Sequence, residues 1–401
     1  MNRAGARLAI SAAILGATVS VFARRAPWRR HPWYLAGMVG GLAGTELSVP
    51  MAVAQLATAG LAATMGAGHS RLGVLGLLAS AASAMSLLHL QRVARDSTTV
   101  LRKALNEAFG PDSPRLPAPR LVSLPRPRRS ACLVAENVPY CDQSPAQVLD
   151  VWRARGRRDE VAAPVVVQIH GGSWTGGSRR TQNLPLLGHL AANGWVCVAV
   201  DYRLGPDNRW PTAIVDIKRA LAWVRATIHR YGGDPSFLAV LGGSAGGHLA
   251  ALAALSGNDP ALQPGFTEAD TSVQAAVLLY GVYDLTALND DGTPRLRDHL
   301  RRVLFDVDLH HDRPTWRSAS PTWRLTAGAP PLLVVHGDRD EIVSVNQARH
   351  FVDRARRVSA NPVGYAELPC AHHGYDTLWS TRTLATAHAV TRFLDTARRS
   401  A

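Results

Sequence analysis

One pentapeptide constrains this chain more than any other. Gly242-Gly243-Ser244-Ala245-Gly246 directly follows the apolar run Leu238–Leu241 and precedes a helical pattern that runs to about Ser256. A strand that turns into a helix over so few residues brings its two flanks into close contact. Glycine at 242 and 246 has no Cβ to obstruct that approach. The serine between them is forced onto a sharp turn with its hydroxyl outermost, and the N-terminus of the following helix favours negative charge beside it. As a bare pattern, G-x-S-x-G arises often by chance. The strand before it and the helix after it are the context that gives it meaning.

That unit repeats in outline along the C-terminal two-thirds of the chain. From about Ala131, short β-branched runs alternate with longer amphipathic ones. The expected strands are Val148–Trp152, Pro164–His170, Val196–Asp201, Leu238–Leu241, Ala275–Leu279, Leu332–His336 and a last one near Val363–Leu368. The expected helices include Pro211–Arg230, Ala245–Ser256, Val345–Val358 and Arg382–Arg398. Such alternation predicts an α/β fold, with a mostly parallel sheet flanked by helices. The run Val165–Ile169 is nearly all apolar, as a strand covered on both faces should be.

Three more segments sit at the ends of these strands and complement Ser244. His170-Gly171-Gly172-Ser173-Trp174 follows the second strand. Its glycines let backbone amides turn inward, so Gly171 or Gly172, together with Ala245, can donate to an oxyanion; a plain glycine turn is the other reading of this loop taken alone. His336-Gly337-Asp338-Arg339-Asp340 offers two carboxylates. Asp340 is the expected partner of a catalytic histidine, with Asp338 stabilising its turn and Glu341 in solvent. Cys370-Ala371-His372-His373-Gly374-Tyr375 offers two adjacent histidines, of which His373, in a His-Gly-aromatic arrangement, is the expected general base and His372 the alternative. Ser, Asp, His is the chain order of a strand-elbow hydrolase.

With these segments in hand, the chain resembles the α/β-hydrolase superfamily, and within it the carboxylesterase and hormone-sensitive-lipase-like groups. Asp201-Tyr202-Arg203-Leu204, Trp210-Pro211 and Tyr231-Gly232-Gly233-Asp234-Pro235 look like that family's segments between oxyanion loop and nucleophile. The likeness covers about residues 131–398. Ser173 stands where the family often has a third glycine, and the Ser173-Trp174 ending is similar to the loops of membrane-bound prenylcysteine methylesterases and arylformamidases. The resemblance implies a serine carboxylic-ester hydrolase acting on short- to medium-chain or lipid-like esters, with no cofactor and no metal. An amide or formamide hydrolase of the same fold is one alternative, and a non-catalytic hydrolase-fold binding protein is another. The charge- and tryptophan-rich stretch 285–325 is expected to form a small cap, with Trp174, Trp316 and Trp323 either lining an acyl pocket or simply packing.

The first hundred residues lie outside the resemblance. Leu8–Phe22 is apolar but short for a span, and no clear cleavage site follows Arg24-Arg25 to mark a signal peptide. Trp33–Gly68 carries one charge, Glu46, and is too long for one straight crossing; Pro50 is the expected break. Leu72–Leu90 is uncharged and suits a single crossing of roughly 20 residues. Trp28, Trp33 and Tyr34 sit where an interfacial aromatic belt would lie. The expectation is two or more transmembrane helices in residues 1–104, a Pro/Arg-rich linker over 105–130 and a catalytic domain over 131–401; a loosely packed soluble helical region is the competing reading. Glu46 is expected at a helix end or facing another helix. Arg24, Arg25, Arg29 and Arg30 before the second apolar run, and Arg92, Arg95, Arg102 and Lys103 after the last, both favour the cytoplasmic side. An even number of crossings between them places the catalytic domain in the cytoplasm, and an additional crossing reverses it.

The formal charge is +14, almost all of it arginine, with Lys103 and Lys218 the only lysines. The arginines are scattered or flank apolar runs instead of lining a helix with aromatics, which argues against nucleic acid and for anionic lipid headgroups. Cys132, Cys141, Cys197 and Cys370 form no C-x-x-C pair; Cys197 lies in an apolar run, and Cys132 with Cys141 is the one disulfide left open. Oligomeric state has no signature in the sequence.

Overall fold

The computed structural model describes residues 3–25, 34–111, 116–117, 132–154, 162–287 and 294–400. Its centre is an eight-stranded sheet of order β1-β2-β4-β3-β5-β6-β7-β8. The strands are β1 (Leu133–Pro139), β2 (Val148–Trp152), β3 (Ala163–Ile169), β4 (Val196–Val200), β5 (Gly233–Gly243), β6 (Ala275–Leu279), β7 (Leu332–Gly337) and β8 (Val363–Leu368). The β1–β2 and β2–β4 pairs are antiparallel and all others parallel. Every residue of β3, β4, β6 and β7 is buried, because helices cover both faces. Those helices are α5 (Leu184–Ala192), α6 (Thr212–Thr227), α7 (Ala245–Leu255), α10 (Val345–Val358) and α11 (Thr381–Ser400). Two cores result, one on each face of the sheet.

Two elements were not legible beforehand. Strand β1 carries Glu136 and Asn137 and bends through irregular register at the sheet edge, so its polar composition hid it. Helix α5 contains Pro185 and Gly188, both poor helix formers; Pro185 falls in the first turn, where a missing N–H costs nothing.

Four helices precede the sheet: α1 (Arg3–Arg24), α2 (Tyr34–Glu46), α3 (Ser48–Thr64) and α4 (Arg71–Phe109). Helix α1 corrects the sequence reading of Leu8–Phe22 as short: with α4 it is long and apolar enough to cross a membrane, and the pair α2–α3, bent by 88°, makes a third candidate if counted as one span. The break falls at Leu47, three residues before Pro50. That is where it belongs physically, since Pro50 cannot donate to the Glu46 carbonyl and its ring would collide with it. Among the described residues, every exposed large hydrophobic except Val134 and Trp323 lies on these helices, Ile14, Leu56, Leu75 and Met85 among them.

Helix α4 does not stop at 104. It runs to Phe109, so Leu101, Ala104 and Leu105 join the core on the α11 side of the sheet and Phe109 packs on Phe393. A single continuous helix thus joins the apolar bundle to the central sheet. Most of the expected linker, at 112–115 and 118–130, lies outside the described residues, as do Trp28, Arg29, Arg30 and Trp33. Cys132 and Cys141 are not joined by a disulfide.

Candidate active site

The loops at the carboxyl ends of β3, β5, β7 and β8 converge, the place where open α/β sheets bind their ligands. Ser244 stands between β5 and α7 at φ 59° and ψ −123°, a conformation that neighbours must impose. A Cβ at Gly242 would overlap the Gly246 backbone, and one at Gly246 would overlap the backbone of Ile169 and His170. The Ser244 N–H donates to the Leu279 carbonyl at 3.0 Å, which ties the turn to β6.

His373 lies on the loop after β8. Its Nε2 is 2.9 Å from Ser244 Oγ and its Nδ1 is 2.7 Å from Asp340 Oδ2. Asp340 is fully buried, and its Oδ1 accepts from the amides of Ile342 at 2.9 Å and Val343 at 2.8 Å. His336 Nε2 approaches Oδ2 at 3.2 Å. Burial alone would raise the Asp340 carboxyl; the charge of a protonated His373 and the hydrogen bonds from His336 and His373 outweigh it and hold the group well below the ordinary carboxylate range. Asp338 instead accepts from the Cys370 N–H at 2.7 Å and holds the histidine loop to β7. Glu341 corrects the sequence reading: it is buried, and its carboxylate is 2.7 Å from His372 Nδ1. His372 therefore faces away from Ser244.

The oxyanion loop is held in an unusual shape. Gly172, Ser173 and Trp174 all have positive φ, at 123°, 55° and 60°. Tyr202 Oη donates to the His170 carbonyl at 2.8 Å, and the Arg179 N–H donates to Asp201 at 2.6 Å. The Asp201-Tyr202 segment thus buttresses the loop, while Arg203 pairs with buried Asp216. The Gly171 N–H donates to Gln182 Oε1 at 2.5 Å. That bond occupies the Gly171 N–H, one of the amides expected, with those of Gly172 and Ala245, to donate to an oxyanion. Nothing in the sequence marks Gln182 for this part.

Sequence reasoning also missed a buried network under the histidine. Tyr280, at the end of β6, sets its ring edge-on to His373 with centroids 4.9 Å apart. Its hydroxyl donates to Asp376, which also accepts from Asn183, and Asn183 accepts from Gln168 at 3.2 Å. Burial raises the Asp376 carboxyl despite these bonds.

The cap tryptophans divide. Trp316 is fully buried, packs on Phe305 and donates to the Val307 carbonyl at 3.2 Å, so it is core. Trp323 is half-exposed with Arg317 and Arg354 over its ring. Trp174 is buried edge-on to His248. The expected cap segment reaches the Gly171–Trp174 loop through α8 (Pro294–Leu300), where His299 Nε2 donates to the Ser173 carbonyl at 2.9 Å.

His248 sets an acid-stability prediction. Complete burial lowers its pKa from 6.5 to about 4, against the raising effect of its hydrogen bond to the Ala319 carbonyl. The unfolded chain then takes up this proton first as pH falls. Stability present above the ordinary histidine pKa is lost between about 6.5 and about 4, by about 3 kcal/mol. Thermal unfolding of His248→Leu against the parent should show that part of the pH slope removed.

The fold and the site define a hydrolase of the strand-elbow type. The chain belongs to the α/β-hydrolase family of carboxylic ester hydrolases. The family model described as BD-FAE matches residues 149–354. A probable carboxylic ester hydrolase of Mycobacterium tuberculosis, LipM, is 42% identical over 403 residues, covering 96% of this chain and 92% of the relative, so the likeness includes the N-terminal helices. Esterase LipC of the same organism is 48% identical over 257 residues, 64% of each chain. Among solved structures, a thermophilic esterase from Thermogutta terrifontis, with butyrate bound, matches at TM-score 0.51 and 25% identity over 66% of this chain and 92% of its own.

Proposed function

We propose that this protein is a membrane-anchored serine esterase that hydrolyses short- to medium-chain or lipid-like esters through Ser244, His373 and Asp340. The observation that carries the reading is the unbroken chain of hydrogen-bond distances, 2.9 Å from Ser244 Oγ to His373 Nε2 and 2.7 Å from His373 Nδ1 to Asp340. In this reading His373 Nε2 takes the Ser244 proton as Oγ attacks the ester carbonyl. The Gly172 and Ala245 amides hold the oxyanion. His373 then passes its proton to the leaving alkoxide, and on the next pass activates the water that frees the acid. Asp340 keeps the proton of neutral His373 on Nδ1 and supports the charge when the ring is protonated. The butyrate in the Thermogutta esterase is consistent with a short acyl group here.

The anchor reading rests on the apolar exposed faces of α1, α3 and α4. Crossing at each of them brings Arg3, Arg7 and Arg71 to one side and Arg24, Arg25, Arg92 and Arg95 to the other, the side of the hydrolase sheet. In this reading the richer arginine cluster favours the cytoplasmic side for that sheet. The test of function is hydrolysis of p-nitrophenyl esters of rising acyl length, alongside matched anilides, by the detergent-solubilised full chain. Ester turnover well above anilide turnover is expected, and anilide turnover alone would sink the ester reading. For topology, a cysteine placed at Gly68, where a side chain meets open space, should react with a membrane-impermeant maleimide from outside intact cells.

A further inference from the structure

The loop that bears His373 is wedged between the sheet and the N-terminal helices. At its start, the Pro369 carbonyl accepts from Arg382 at 2.9 Å, and Cys370 packs against the apolar cluster of Val19, Ala23, Ala84 and Leu87. At its end, Ser380 donates to Glu46 at 2.6 Å, Gln91 donates to Thr381 at 2.7 Å, and fully buried Arg382 pairs with Glu46. Between these ends sits His372. Its Nδ1 is 2.7 Å from Glu341 Oε1, while Nε2 is 3.3 Å from the carbonyl of Ala23 at the end of α1. A Cβ on Gly41 of α2 would overlap the imidazole itself. So close an approach by helix backbone needs glycine, and it leaves the ring one position.

We infer that His372 is a positioning residue for His373, and that α1 and α2 form the outer jaw of the clamp that holds it. The inference rests on the reading that Ser244 and His373 do the chemistry. Glu341 is the inner jaw. The two histidines are adjacent in sequence, so a shift of the His372 ring moves the His373 backbone and lengthens the contact to Ser244. The N-terminal helices then do more than tether the hydrolase: they complete its geometry.

Gly41→Ala tests this in the full chain, in one detergent, with sites counted by fluorophosphonate titration. Per titrated site, kcat on p-nitrophenyl butyrate should fall about tenfold or more, because small displacements of a catalytic group are costly, with KM within about twofold. The fluorophosphonate labelling rate should fall in parallel. Gly76→Ala presses α4 on α1 at Ala9, inside the bundle and far from the loop, and should leave kcat per site unchanged. Where Gly41→Ala yields too little folded protein, His372→Gln carries the same expectation, since its amide can satisfy Glu341 or Ala23 but cannot fill the ring's place. Unchanged kcat per site in the histidine-loop variants, or an equal fall in Gly76→Ala, would overturn the clamp. A parent chain that neither labels nor turns over would overturn the esterase reading and the clamp together, whereas a normal parent with an indifferent Gly41→Ala overturns the clamp alone.

Discussion

Ser244→Ala should reduce ester hydrolysis by roughly 10⁴- to 10⁶-fold while leaving the fold intact. The size follows from what the side chain does. Without Oγ there is no acyl-enzyme, and what remains is direct attack by water on an ester held at the Gly172 and Ala245 amides. Alanine fits the site because the strain at φ 59° is imposed by the backbone of β5 and α7 and not by the hydroxyl. Ser244 is buried, and the partner its hydroxyl leaves behind, His373 Nε2, belongs to a ring that is only partly buried, so no fully enclosed polar group is stranded. Steady-state rates on p-nitrophenyl butyrate, compared with circular dichroism of the same preparations, check both halves of the expectation.

Asp340→Asn should cost about 10⁴-fold in kcat, by a different route. The carboxylate accepts the Nδ1 proton of His373 and so leaves Nε2 bare to receive the Ser244 proton. An asparagine amide held in place by the same Ile342 and Val343 amides presents an N–H to Nδ1, moves the ring proton to Nε2 and blocks the transfer. Asp338→Asn, by contrast, retains an acceptor for Cys370 and should change kcat by less than about tenfold. The depressed Asp340 pKa adds a stability term. Its ordinary value lies near 4, so the stabilisation is present above that pH and is lost as pH falls below it toward the lowered folded-state value. The Asn variant should lack this portion of the acid-limb loss.

Much of the site could be read from local sequence because each of its parts is a short strand-end motif. The elbow at Ser244, the glycine pair at 171–172, Asp340 and His373 each announce themselves by residue type immediately after an apolar run. What could not be read depended on packing between distant segments. Gln182 occupies the Gly171 N–H by a single side-chain bond that no motif encodes. Glu341 looked solvated because it stands among charges, yet the histidine loop folds over it. Tyr280 ends an ordinary apolar strand, and only the sheet order brings it beside His373. Glu46 was legible as a helix-end residue, but its partner Arg382 is over three hundred residues away in sequence. The tryptophans left two readings open for a related reason: Trp316 and Trp323 share a composition-rich stretch, and only packing separates the buried one from the exposed one. In the N-terminal helices, uncharged length and flanking arginines marked the apolar runs, while α1 gained its full length from Arg3, Arg7 and Arg24, whose stems continue the helix beyond its apolar centre.

The most direct test of the account is the site of covalent capture. The full chain, treated with a fluorophosphonate and digested, should yield one stoichiometric adduct by mass spectrometry, on Ser244, and labelling should be lost in His373→Ala but retained, at reduced rate, in His372→Gln. An adduct on another residue, or labelling that depends on His372 and not on His373, would contradict it.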